Sequence, residues 1–376
     1  MTESSSDPRP LRLARVREHL REAGVDTLLV GHPPNLEYLT GLRASSGVLL
    51  LDADRVRLIV DFRYAEAAAV AIAGLEPAGG SMVLAERSLD EAAAEAIKRS
   101  GGGHVGIEAA HLSVKRRDWL AAALGGRAGP FSLVPTERLV ERERLVKGSE
   151  EVASLREAGR RLASVARDLA RWVRAGQRES DIAAELDHAV RLAGFDRPAF
   201  DTIVASGPRS AMPHARPGGR ILASGDAVVL DFGGVYDGYC VDLTRTASVG
   251  PPGPDLERCH RAVLDAVEAA LAVIRPGRLA SAVDEAARQA LARHGLEGAF
   301  GHSTGHGLGL EVHEEPRVGR PVGGVPPAVL EPGMAFTVEP GVYLPGLCGV
   351  RVEDDVVVTP DGYELLTDAP RSLIVV

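Results

Sequence analysis

Acidic residues in apolar strands constrain the fold of this chain more than any other feature. Asp231 and Glu339 each directly follow a strand-like run of four mainly apolar residues, and Glu353 stands inside the valine-rich stretch Val350 to Val358. A carboxylate in such a strand is costly to bury unless it is paired or binds a metal ion. The fold must therefore bring these acids to a positively charged partner.

The segment around Asp231 and Asp242 has the pattern of a β-hairpin. If the loop is centred on Tyr236 and Asp237, the two acids lie directly opposite each other, with Cβ atoms about 5 Å apart. A tighter loop at Asp237-Gly238 offsets the two acids by two residues. In both registers two carboxylates approach each other, and a cation is needed to stabilise them at neutral pH.

A second hairpin is predicted between Glu339 and Glu353, which are symmetric about Gly346. The candidate imidazole is His306, whose flanking glycines let backbone and solvent approach closely. Four carboxylates on two hairpins and one histidine would form an oxygen-rich site with room for two divalent ions.

The length of 376 residues predicts two domains, since one core rarely serves a chain of this size. Strand-like and helical stretches alternate over residues 1–135, which indicates an α/β domain with a sheet covered by helices. Residues 136–376 contain long helical periods and the acid-bearing strands, which indicates an α+β domain. One of its predicted helices begins near Ser180, the expected N-cap.

Composition excludes several classes of protein. The net charge of -9 argues against a nucleic-acid partner, because phosphate binding needs clustered basic residues. The cysteines are Cys240, Cys259 and Cys348, and their spacing fits neither a metal knuckle nor a disulfide framework, as in a reducing cytoplasm. No apolar h-region follows the polar segment Met1 to Pro10, and no apolar run is long enough for a membrane span. We expect a cytoplasmic protein with no signal peptide.

Five short motifs occur in the order found in metallopeptidase family M24, and together they are far more specific than any one alone. They are Asp231-Phe-Gly-Gly, Asp242-Leu-Thr-Arg, Gly305-His306-Gly-Leu-Gly, Glu339-Pro-Gly and Arg351-Val-Glu353-Asp. Roughly residues 140–376 resemble the proline-specific branch of that family, which contains Xaa-Pro aminopeptidases and Xaa-Pro dipeptidases (prolidases). The resemblance implies a pita-bread catalytic domain at 136–376, preceded by a creatinase-type domain at 1–135.

The same resemblance implies a set of five metal ligands, all of them present: Asp231, Asp242, His306, Glu339 and Glu353. They would hold two divalent ions. Manganese is the expected metal, and cobalt, iron and zinc are the alternatives, because an oxygen-rich site with one histidine accepts each of them.

Catalytic roles are implied for five residues: Glu339, His313, His302, His214 and Arg351. Glu339 would take the proton of the attacking water and return it to the leaving nitrogen. His313 and His302 would bind the carbonyl oxygen and the developing oxyanion. His214 and His302 are equally plausible as structural residues, and Arg351 is equally plausible as a salt-bridge partner that orients Glu353. Phe200 would form a wall of the substrate pocket.

The expected function is therefore dinuclear metal-dependent hydrolysis of the Xaa-Pro bond at the N-terminus of short proline-containing peptides or dipeptides, by a homodimer. Three alternatives stay open. The N-terminal domain argues against a methionine aminopeptidase. The complete ligand set argues against a creatinase-type amidinohydrolase. Together with the absence of long acidic tails, it also argues against a catalytically inactive peptide-binding module.

Overall fold

The computed structural model of this chain describes residues 7–126 and 129–376. Residues 1–6, which belong to the Met1–Pro10 segment considered above, lie outside the described residues. The chain forms two compact units, Met1–Arg144 and Leu145–Val376. The predicted boundary at residue 135 falls inside the strand Phe131–Thr136, which belongs to the N-terminal sheet. Among the described helices, none is both long and apolar enough to cross a bilayer.

The N-terminal unit is the predicted α/β domain. Its strands form a mixed sheet in the order β4-β3-β2-β1-β5-β6, and β1 is parallel to β5 but antiparallel to β2. Small alanines on α4 let this helix pack closely on the buried side chains of the central strands. The described elements are α1 (Arg9–Glu22), β1 (Thr27–Val30), α2 (Pro33–Thr40), β2 (Val48–Asp52), β3 (Val56–Val60), α3 (Ala65–Ala73), β4 (Gly80–Leu84), α4 (Leu89–Lys98), β5 (Gly103–Glu108), α5 (Val114–Ala123), β6 (Phe131–Thr136) and α6 (Glu141–Leu145).

The C-terminal unit is the predicted α+β domain. The described elements are α7 (Ser149–Arg167), α8 (Glu179–Leu192), β7 (Arg197–Pro198), β8 (Ile203–Ser206), β9 (Ala227–Tyr236), β10 (Tyr239–Ser248), α9 (Pro254–Ala272), α10 (Ala280–Arg293), β11 (Gly305–Gly307), β12 (Glu314–Val318), β13 (Ala335–Val338), β14 (Gly341–Leu344), β15 (Cys348–Arg351), β16 (Asp354–Thr359), β17 (Gly362–Leu365) and β18 (Ile374–Val375).

A helix pair packed on strands occurs twice in this unit. Helices α7 and α8 share one apolar core with β9 and β10, which are the central strands of a sheet ordered β18-β10-β9-β7. Helices α9 and α10 share a second core with β13, β15 and β16. The second sheet has the order β12-β11-β13-β16-β17, and β14 and β15 form a separate hairpin.

The start of α8 differs from the prediction. The helix begins at Glu179, and the N-cap residue is Arg178 rather than Ser180. Ser180 lies in the first turn, where its hydroxyl donates to Asp181. The side chain of Glu179 is fully buried instead of facing solvent. The first residue of this helix is therefore the buried acid Glu179, and the serine does not cap it.

Candidate active site

The first acid pair lies on the β9–β10 hairpin, in the tighter of the two predicted registers. Asp237 and Gly238 both have positive φ angles, 51° and 84°, as a two-residue hairpin turn requires. Asp242 consequently faces Gly233, and Asp231 faces Thr244. Residues paired across a ladder point to the same face, so the two acids are diagonal neighbours on one side of the hairpin.

The second acid pair lies where two ladders meet. Gly341 pairs with Arg351, and Val338 pairs with Asp354, so Glu339 and Glu353 keep the predicted symmetric register between them. Neither acid extends the ladder with its own N–H group. Glu339 donates its backbone N–H to Thr304 O (2.7 Å), and Glu353 donates to Thr244 O on β10 (3.1 Å). The second bond ties the second hairpin to the first acid pair.

Donor atoms from three distant segments converge at this point. Ligand atoms of Asp242, His306 and Glu353 all lie within 4.8 Å of one another. His306 Nε2 is 4.0 Å from Asp242 Oδ2 and 3.7 Å from Glu339 Oε1. Its Nδ1–H donates to the carbonyl of Gly307 at 3.1 Å, so the Nε2 lone pair points to the acids. This tautomer is the one that a metal-ligating histidine needs.

The hydrogen-bonding state of the acids fits divalent cations. Asp231 Oδ1, Asp242 Oδ1 and Glu353 Oε1 are buried, with no protein hydrogen-bond partner. Burial, followed by the neighbouring carboxylates, raises the pKa of Asp242 and of Glu353 well above the usual range. Burial also raises the pKa of Glu339 to about 8. Such a group of acids is strongly destabilised as anions unless cations bind, and hard oxygen donors with one imidazole suit such ions.

The glycines around His306 are required by close backbone contacts. A Cβ atom on Gly305 would lie 1.8 Å from Thr337 O, and one on Gly307 would lie 2.1 Å from Glu315 O. Burial lowers the pKa of His306 to about 4, which keeps the imidazole neutral and able to act as a ligand. The Gly-His-Gly motif thus lets β11 fit between β12 and β13.

Arg351 contacts Asp231 of the first acid pair rather than Glu353. Its Nη2 forms a short ion pair with Asp231 Oδ2, and its Nε donates to Thr244 Oγ1 at 3.2 Å. The Thr244 hydroxyl in turn donates to Glu353 Oε2 at 2.6 Å. Arg351 is only 3% exposed, and its guanidinium is buried against Asp231 and Thr244.

Tyr343 is a site residue that the sequence analysis missed. Its hydroxyl accepts a hydrogen bond from Arg351 Nη1 at 2.8 Å and donates to His302 Nε2 at 2.9 Å. The donor direction follows because His302 Nδ1 lies 2.8 Å from the carbonyl of Ser303 and must carry the proton. Two-residue alternation along β14 places Tyr343 on the face of Gly341, whose partner is Arg351, and the predicted symmetry about Gly346 already implied this placement.

Asp355 also supports the site from the neighbouring strand. It is fully buried. Its Oδ2 accepts the backbone N–H of Asp242 at 2.8 Å. Asp355 therefore supports the backbone of a candidate ligand from the neighbouring strand β16.

The remaining predicted residues lie around this cluster. The ring centroid of His313 is 4.2 Å from that of His306, and burial, followed by the proximity of His214, lowers the pKa of His313. His214 is exposed. Phe200 is half-buried, and its ring lies close enough to Gly233 that a Cβ atom there would be 2.7 Å from Phe200 Cε1.

Comparison with known proteins identifies the domains and the family. Residues 153–360 match metallopeptidase family M24, and residues 12–146 match the creatinase/prolidase N-terminal domain. The uncharacterized peptidase YqhT of Bacillus subtilis is 38% identical, over 97% of this chain and 100% of that protein. An Xaa-Pro dipeptidase from Bacillus anthracis superposes with a TM-score of 0.91 and 35% identity, covering 97% of this chain and 99% of that one.

An X-Pro aminopeptidase from Thermotoga maritima superposes with a TM-score of 0.85 and 32% identity, covering 97% of this chain and 99% of that one. These likenesses extend over both domains. They confirm the predicted combination of a creatinase-type α/β domain with a pita-bread α+β domain. The chain belongs to metallopeptidase family M24.

Proposed function

We propose that this chain is a metal-dependent exopeptidase that hydrolyses the Xaa-Pro bond at the N-terminus of peptides or dipeptides. The observation that carries the proposal is the convergence of buried acid oxygens without partners on a histidine whose Nε2 lone pair faces them. The relatives named as an Xaa-Pro dipeptidase and an X-Pro aminopeptidase support the substrate class.

Two divalent ions would be held by Asp231, Asp242, His306, Glu339 and Glu353. Manganese is the proposed metal, with cobalt, iron and zinc as the alternatives. When bound, such ions supply Lewis-acid activation of water and of the scissile carbonyl. The four carboxylates and the one imidazole of this set are the kinds of donor that such ions require.

Glu339 is the proposed proton carrier. Its side chain is 17% exposed, compared with 8% for Asp242, so it is the more accessible of these two acids to an attacking water. We assign to this carboxylate the transfer of the water's proton to the leaving nitrogen.

The histidines are assigned different roles. Both ring nitrogens of His302 are used within the protein, by Ser303 O and Tyr343 OH, so we assign it to positioning. The donor to the developing oxyanion is therefore His313, with the exposed His214 beside it. Phe200 is the proposed apolar wall for the substrate.

Reconstitution with metal and defined peptides tests this function. Protein stripped with EDTA and reloaded with Mn²⁺ or Co²⁺ should cleave an Xaa-Pro dipeptide or a longer Xaa-Pro peptide, and should cleave matched Xaa-Ala peptides poorly. Cleavage of the dipeptide alone identifies a dipeptidase, whereas cleavage of the longer peptide identifies an aminopeptidase. No release from any peptide after metal loading would contradict the proposal and favour an inactive binding module. Release of urea from creatine would instead identify a creatinase-type enzyme.

We also propose a cytoplasmic homodimer. Size-exclusion chromatography with light scattering should give about twice the mass of the 39.6 kDa chain. A monomer mass would contradict this part of the proposal and leave the assignment of the reaction intact.

A further inference from the structure

A buried ion pair on α10 lies directly behind the loop that carries His302. Asp284 is 1% exposed and forms a two-pronged contact with Arg288, one helical turn away. Arg288 Nε donates to Asp284 Oδ2 at 2.7 Å, and Arg288 Nη2 donates to Asp284 Oδ1 at 3.1 Å. Planar pairing of this kind fixes both side chains in one orientation.

Each partner of this pair also binds the loop backbone. Arg288 donates to the carbonyls of Phe300 (3.1 Å) and His302 (2.5 Å). Asp284 Oδ1 accepts from both the backbone N–H (3.1 Å) and the hydroxyl (2.8 Å) of Thr304. The pair thus binds the polypeptide at three positions within Phe300–Thr304, two of which immediately flank residue 303.

The loop transmits this placement to the site by two routes. The Arg288 guanidinium lies 4.4 Å from the ring centroid of Phe300, whose ring meets His302 edge-on at 4.8 Å. Along the second route, the carbonyl of Thr304 accepts the backbone N–H of Glu339 at 2.7 Å. Thr304 is fully buried and is followed after one glycine by His306.

We propose that Asp284 and Arg288 are positioning residues of the active site. They hold the Phe300–Thr304 loop so that His302, His306 and Glu339 keep their mutual geometry. Neither residue touches the acid cluster, so their effect passes through the loop. The inference rests on the proposed function for its kinetic readout, but not for its metal-binding readout.

The test compares substitutions of graded severity. Asp284→Ala removes both contacts with Thr304 and leaves Arg288 unpaired, Asp284→Asn keeps an oxygen acceptor but loses the charge pair, and Thr304→Val removes only the hydroxyl donor. Two control variants alter carboxylates of the same helix pair that face away from the loop. Glu285→Gln changes an exposed acid on α10, and Asp265→Asn removes the charge of the α9 carboxylate that contacts His294.

The expected result is a graded loss of metal affinity. Titration of metal-free protein with Mn²⁺ should show about 10- to 100-fold weaker binding for Asp284→Ala, the range known for residues that orient metal ligands. Asp284→Asn and Thr304→Val should show smaller losses, and both controls should bind as the unchanged protein does. The visible absorption spectrum of the Co²⁺ form should change in Asp284→Ala, because the His306 imidazole shifts.

At saturating metal, the loop variants should lose kcat while KM for an Xaa-Pro peptide changes little. Wild-type metal affinity and an unchanged cobalt spectrum in all three variants would overturn the inference. If Asp284→Ala does not fold, the metal affinity and the cobalt spectrum of Asp284→Asn and Thr304→Val test the positioning role instead. If the unchanged protein cleaves no peptide, the proposed function fails, and metal affinity and the spectrum still judge the positioning role.

Discussion

At the scale of single residues, the side chains that contact the candidate cation site fall into two groups. Some offer free lone pairs, as His306 does, and others have every polar atom occupied by protein, as His302 does. This difference decides which residues are available for chemistry and which position other groups. Sequence motifs alone do not reveal it, because both histidines lie in one glycine-rich segment.

Replacement of Glu339 by glutamine should remove proton transfer while keeping the shape of the side chain. Because general acid–base catalysis typically contributes about 10²- to 10⁴-fold, kcat should fall within that range. Steady-state kinetics on an Xaa-Pro peptide at saturating metal measures the effect. Glu331→Gln, which changes an exposed acid, is the control. Near-normal turnover of Glu339→Gln would show that another group moves the proton.

Removal of the Tyr343 hydroxyl should separate His302 from Arg351. In Tyr343→Phe, the buried His302 Nε2 and Arg351 Nη1 each lose a partner, so the free energy of unfolding should fall by about 1–3 kcal/mol. We also expect kcat to fall by about tenfold. A loss of that size corresponds to a rise of roughly 1.4 kcal/mol in the activation free energy. Chemical denaturation and kinetics measure the two effects. The half-exposed Tyr363 provides a matched control in Tyr363→Phe, which should change neither quantity.

At the scale of secondary structure, the acid-bearing hairpins were predictable from the sequence. Two-residue alternation and the Asp237-Gly238 turn signal gave both possible registers of β9 and β10, and the symmetry about Gly346 gave the other pairing correctly. The choice between the two registers depends on the positive φ angles of Asp237 and Gly238. The sequence alone is compatible with both registers. The start of α8 was mispredicted because the burial of Glu179 depends on contacts with a loop far along the chain.

Glu179 illustrates such a distant contact. Its Oε1 accepts the backbone N–H and the hydroxyl of Ser206, and its Oε2 accepts Arg209 Nε (3.1 Å) and the backbone N–H of Gly218 (3.2 Å). These bonds fasten both ends of the segment that contains His214. A capping rule that considers only local sequence favours Ser180, because it does not include the contacts that Glu179 makes with residues 206, 209 and 218.

Strand β11 should not tolerate a methyl group at Gly305. In Gly305→Ala the new Cβ atom would lie 1.8 Å from Thr337 O, so β11 must move away from β13 and carry His306 with it. Mn²⁺ titration should show weakened binding, and thermal unfolding should show a lower Tm. Gly301→Ala is the matched control, because a Cβ atom there meets nothing within 4 Å. Equal behaviour of the two variants would contradict the role assigned to the glycine motif.

At the scale of the whole molecule, the two-domain architecture was predictable from length, periodicity and ordered motifs. The position of the division was not, because β6 reads as a domain end in sequence but is an edge strand of the N-terminal sheet. The buried supporting contacts of the site were also hidden, since they join residues more than a hundred positions apart, such as Thr244 and Glu353.

The metal-free protein should lose stability as the pH rises from about 7 to 8.5. Folding raises the pKa of Glu339 to about 8 and raises those of Asp242 and Glu353, so the folded chain binds more protons than the unfolded chain above their usual pKa values. Stability therefore falls with rising pH in this window. His302 and His306, whose pKa values are lowered to about 4, are neutral in the folded state here and act instead below about pH 6.5, where acid destabilises.

Differential scanning calorimetry of EDTA-treated protein at both pH values measures this effect. Saturating Mn²⁺ should raise Tm and should remove most of the difference, because ligands that bind only the folded state stabilise it. A Tm that is higher at pH 8.5 than at pH 7 without metal would show that folding does not raise the pKa values of these acids.

The five candidate ligands come from two different sheets. Asp231 and Asp242 lie on strands of one, His306 lies on a strand of the other, and Glu339 and Glu353 directly adjoin its strands β13 and β16. Cations held there would join the two halves of the catalytic domain much as a disulfide joins two chain segments. The number of random substitutions that this enzyme tolerates would then depend on how much of the metal the cell takes up. A cell rich in the metal would mask destabilising changes that become harmful when the supply of that metal declines.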